Sequence, residues 1–170
     1  ECPVSFFLHR PTRLLGSFLI LLFAASVVPA WGARYYLDSA SGDDTRTGLS
    51  PDQAWKSLAK VNATTFQPGD EIVLKRGGRW QGTLHPLGSG TPETPIRLGA
   101  FGEGPRPFID GGAGPAVLIH NQDAWIIEGL EVTNNKDSGR DALKVWADPR
   151  RPHYRFIRIR DCVAHDAGGS

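Results

Sequence analysis

Short apolar runs recur along this chain, each closed off by glycine, proline, asparagine or aspartate, and they limit it to folds built of many brief strands. One set reads EIVLKRG, PIRLGAF, PAVLIHN and DALKVWA. Its inward pairs are Ile72/Leu74, Ile96/Leu98, Val117/Ile119 and Leu143/Val145, with Val73, Arg97, Leu118 and Lys144 facing the other way. A second set, GTLHPLG, PFIDGGA, WIIEGLEV and FIRIRDCV, interleaves with the first. Within it lies a longer echo: at one common offset Ile127 falls on Ile159, Glu128 on Arg160, Leu130 on Cys162 and Asn134 on Asp166. Steps of roughly 20 to 30 residues suit a solenoid of parallel strands, in which stacked coils align inward Ile, Leu and Val into columns. A lone coil cannot bury its apolar face. Each aliphatic side chain gains about 1.5–3 kcal/mol only when coils lie above and below it. A β-sandwich would favour tight Asn-Gly or Asp-Gly hairpins, and Asp110-Gly111 is the single pair of that kind.

Ahead of the strands the pattern is different. Arg10 and Arg13 precede the uncharged stretch LLGSFLILLFAASVV, which ends in small residues at Ala30, Gly32 and Ala33. These are the parts of a secretory signal peptide, or of an N-terminal anchor, over residues 1–33. Cleavage would place the protein outside the cell or in the periplasm, with no membrane contact afterwards. Loss of residues 1–30 removes Arg10, Arg13 and Glu1 and leaves 17 basic against 17 acidic residues. That balance gives no support to a nucleic-acid partner, which would need a clustered positive surface. In RRPHYRFIRIR the arginines alternate with apolar residues and read as outward strand positions. Cys2 would leave with the leader, so Cys162 is expected as a lone, buried, apolar thiol. Ser50 as N-cap, Pro51 at the first turn and Gln53 three residues on predict a helix to Asn62, with Ala54, Leu58 and Val61 as its apolar stripe.

The stretches YYLDSASGDDTRTGLSPDQAWKSLAKVN, FQPGDEIVLKRGGRWQGTL, SGTPETPIRLGAFGEGPRPFIDGG and AWIIEGLEVTNN resemble the beginning of secreted right-handed parallel β-helix proteins of the pectate-lyase-like superfamily. The resemblance covers nearly all of residues 34–170. It implies an all-β, right-handed parallel β-helix with a short capping helix, incomplete at the C-terminus, facing polysaccharide and monomeric at full length. The favoured activity is a lyase that cleaves an acidic glycan by β-elimination. A glycoside hydrolase and a non-catalytic glycan-binding β-helix are the alternatives.

Each activity requires particular residues. A lyase needs a base beside a cation or donor that stabilises the developing charge, commonly Ca²⁺ held by carboxylates. A hydrolase needs two opposed carboxyl groups. In NNKDSGRDALKVW, Lys144 is the candidate base, and Asp137 with Asp141 the candidate metal ligands; solvated turn residues and an ordinary strand lysine are the plainer reading. In AHDAGG, His165 and Asp166 are catalytic candidates set against ordinary turn chemistry. Asp43 and Asp44 lack the alternating oxygens of a calcium loop and suit an Asx-stabilised loop. Among the tryptophans, Trp55 and Trp125 read as packing residues. Asn62 matches a glycosylation acceptor, meaningful only in a eukaryotic secretory host.

Overall fold

In the computed structural model, which describes residues 32–134, 141–150 and 155–167, the chain is mostly β with very little helix. The proposed leader therefore lies outside the described residues, except for its last two. Three sheets hold the strands, and every pairing in them is parallel. The first contains β1 (Arg34–Leu37), β2 (Glu71–Lys75), β4 (Ile96–Phe101), β7 (Trp125–Glu128) and β10 (Ile157–Arg160) in that spatial order. The second orders β3 (Arg79–Gln81), β5 (Phe108–Asp110), β8 (Glu131–Thr133) and β11 (Val163–Ala164). The third pairs β6 (Val117–His120) with β9 (Leu143–Trp146), and a parallel bridge from Leu84 to Val117 extends it. Spatial order follows chain order in each sheet, so the chain leaves a sheet, visits another and returns one strand further on.

Register turns this into columns. Tyr35, Ile72, Leu98, Ile127 and Ile159 share one row of the first sheet. Trp80, Ile109, Val132 and Ala164 share one row of the second, and Leu84, Val117 and Leu143 one row of the third. Ile72, Leu98, Ile109, Val117 and Ile127 are fully buried in a single core cluster. The expected inward pairs are met, with Leu143 and Val145 only partly covered. Val73, expected to face away, is buried as well, in register between Tyr36 and Gly99.

Two expectations need correction. The sets of strands sort differently: EIVLK and IRLGAF join WIIE and IRIR in the first sheet, whereas VLIH and LKVW form the third. Alternation marks which side chains of a run point inward, but it does not say which sheet receives the run. The single helix from Ser50 to Asn62 is also absent. A 3-10 turn at Pro51–Gln53 ends at Ala54, whose ψ of 143° is extended. Trp55 then pairs with the edge of β1: its N–H donates to Tyr36 O, and its carbonyl accepts from the Asp38 N–H. Only α1 (Leu58–Asn62) is helical, capped by Ser57 Oγ. Asp44 enforces the break by accepting from the Lys56 and Ser57 amides and from Ser57 Oγ, while Asp43 caps Thr45. Backbone pairing at the sheet edge thus outweighs local helix propensity.

Buried polar contacts tie the first turns together. Asp38 accepts from the Ala40 and Ser41 amides, from Ser41 Oγ and from Lys75 Nζ at 2.7 Å. Burial pushes this carboxyl up, but these bonds outweigh it and hold it well below the usual carboxylate range. Gly48, at a φ of +76°, leaves room for the Trp55 indole, which an added Cβ would strike. Asn62 spends its side-chain amide on the Thr83 carbonyl and the His85 N–H, so it is committed as a structural link between segments.

Candidate functional site

The outer face of the second sheet carries a polar cluster at its β8–β11 end. Val163 pairs with Glu131, and strand alternation puts His165, two residues beyond Val163, on the same face as that glutamate. His165 Nε2 lies 3.1 Å from Glu131 Oε1, and its Nδ1 lies 3.0 Å from Asp166 Oδ2. One imidazole therefore stands between two carboxylates, one on each ring nitrogen. The ring stacks on Phe108, with centroids 6.2 Å apart, and the Arg79 guanidinium lies over that phenyl at 4.8 Å. Thr133 Oγ1 donates to the His165 carbonyl and fixes the backbone below. Asp166 adopts a left-handed φ of 48°, a conformation aspartate tolerates better than most residues. Hydrogen bonds to Asp166 and Glu131 raise the affinity of His165 for its proton.

The sequence reading had His165 and Asp166 but missed Glu131. The signal was available: the offset of 32 residues that carries Thr133 to His165 also carries Glu131 to Val163. Lys144 is elsewhere. It sits on β9 of the third sheet, with Nζ 5.0 Å from the Trp146 ring, so the candidate base and the His165–Asp166 pair occupy different sheets with separate partners. Asp141 is exposed just before β9, and Asp137 falls outside the described residues. Among the described residues no group of three or more His, Cys, Asp or Glu side chains could hold a metal ion. The strand arginines face outward: Arg160 pairs with Glu128, and Arg97 approaches the same carboxylate. No helix among the described residues is long and apolar enough to cross a membrane.

No family model matches the chain. Among curated proteins it is similar to a lacto-N-biosidase of Bifidobacterium longum subsp. longum, with 28% identity over 68% of this chain and 9% of that protein. Among solved structures it is similar to a GH136 lacto-N-biosidase from Eubacterium ramulus. Against the selenomethionine derivative the TM-score is 0.73 at 28% identity, over 81% of this chain and 28% of the other. Against the native crystal it is 0.57 at 32% identity, over 61% and 20%. The chain thus spans only a minor part of each relative's length. These findings overturn the expected pectate-lyase-like affiliation: the similar proteins are lacto-N-biosidases, which are glycoside hydrolases.

Proposed function

We propose that this chain forms coils of a right-handed parallel β-helix in a glycan-acting glycoside hydrolase, exported with residues 1–33 as its leader. The observation that carries the reading is the likeness to a GH136 lacto-N-biosidase over 81% of the chain at a TM-score of 0.73. The interleaved parallel sheets and their inward columns support the coiled arrangement. Hydrolysis of a glycosidic bond calls for a pair of carboxyl groups, whereas β-elimination calls for a base acting on a uronic sugar. Glu131 and Asp166, held on either side of His165, are the carboxyl pair assigned to that requirement. His165 is their positioning residue.

The test is an assay of the full-length protein on a lacto-N-bioside and on polyuronates. Release of reducing sugar from the first supports the reading; unsaturated products from the second would replace it with the lyase. Glu131→Gln and Asp166→Asn are expected to lower kcat at least about 100-fold if the pair acts on the bond. Unchanged kcat and KM in both variants would remove these residues from the site and leave the hydrolase reading standing.

A further inference from the structure

Four of the chain's tryptophans fall among the described residues, and they divide into two kinds. Trp55, Trp80 and Trp125 are buried, and each indole N–H donates to a backbone carbonyl, of Arg46, Lys56 and Gly88 respectively. Trp146 is 48% exposed on the outer face of the third sheet. It is in register with His120, as Lys144 is with Leu118, and these four side chains with Pro115 line a cavity of about 220 Å³.

Beside the cavity, His120 is joined to a fixed polar pair, Asn121 and Asp148. Asp148 Oδ1 lies 3.2 Å from His120 Nε2, its Oδ2 accepts from Asn121 Nδ2 at 2.7 Å, and its N–H donates to Asn121 Oδ1 at 3.0 Å. Bonds from Asn121 and His120 keep the Asp148 carboxyl below its ordinary range, so it remains an ionised acceptor. A second hollow of about 470 Å³ is lined by Asn121, Asp148, Pro149 and Arg150.

An aromatic plane beside fixed acceptors and donors suits a ligand with one C–H-rich face and hydroxyls at its rim. The first cavity is smaller than the roughly 300–1,000 Å³ of drug-sized sites, which matches a single ring. Asp148 can accept from sugar hydroxyls and Lys144 can donate to them, and these two opposite charges suit a neutral sugar. We propose that this face is a glycan subsite that seats one neutral hexopyranose on Trp146 with its hydroxyls on Asp148 and Lys144. It rests on the reading that the protein acts on glycans, and it lies on a different sheet from Glu131, His165 and Asp166.

Calorimetric titration of the full-length protein with lacto-N-biose and with digalacturonate tests it, with hydrolysis measured separately. Trp146→Ala is expected to weaken binding of the neutral disaccharide at least about 10-fold and Asp148→Asn at least about 3-fold, with Trp146→Phe retaining most of it. An unchanged melting temperature would confirm that the exposed substitutions leave the fold intact. Binding that is indifferent to both losses, tighter binding of digalacturonate, or no binding of the neutral sugar overturns the proposal. Trp146-dependent binding by a protein that hydrolyses nothing supports the subsite and sinks the hydrolase reading alone.

Discussion

The two edges of the long first sheet are finished differently. At β1 the edge is covered: Trp55 bridges to Leu37, its ring stacks on Tyr35 at 5.1 Å, and Phe66 meets the same tyrosine edge-on at 5.2 Å. At β10, the last described strand of that sheet, the same inward column carries Ile159, which is 45% exposed, with Phe156 and Val163 exposed close by. Ile127 and Ile159 are one residue type in one register, yet the first is fully buried and the second is not. A side chain in such a column draws its stabilisation from its neighbours above and below. Chemical identity alone does not set its contribution.

The largest effect should come from the middle of that column. Ile127→Ala is expected to cost about 3–5 kcal/mol and Ile159→Ala less than about 1 kcal/mol in denaturant titrations of the 170-residue chain. Equal costs would break the comparison. At the covered edge, Asp38→Ala should destabilise by about 2–3 kcal/mol, since it strands two amides and a lysine. Lys75→Ala should cost under about 1 kcal/mol, because that side chain is half exposed and its charge is screened. At the open edge, the 170-residue chain should self-associate, and Ile159→Lys should shift it towards monomer in light-scattering chromatography. The smallest effect concerns His165. Its proton affinity is raised in the folded state, so its contribution is full below the ordinary histidine pKa and fades as pH rises through the raised value. Melting temperatures of His165→Gln between about pH 5 and about pH 9 should fall below wild type on the acid side and converge on the alkaline side.

The columns were legible because alternation and punctuation are local properties of the sequence. The echo of Ile127 on Ile159 survives as a direct strand pairing, and Thr133 is bonded to His165 across the same step. The sheet that each run joins was not legible. It depends on how far a turn carries the chain, and runs such as VLIH and IRLGAF look alike locally. The break at Ala54–Trp55 was hidden for a related reason: every local signal favoured helix, and the competing partner, β1, lies far back in the sequence. Of the candidate site, the residues at the turn were visible one at a time. Glu131 becomes visible only when the 32-residue offset is read as strand register, which sets it opposite Val163 and beside His165.

The same register has a consequence for redox chemistry. Cys162 is a free thiol, partly buried against the core at the step that carries Leu130, and burial pushes its thiol up. Disulfide exchange and oxidation proceed through the thiolate, so this sulfur reacts slowly at neutral pH. The stacking that packs the sulfur partly against the core thus also slows its oxidation.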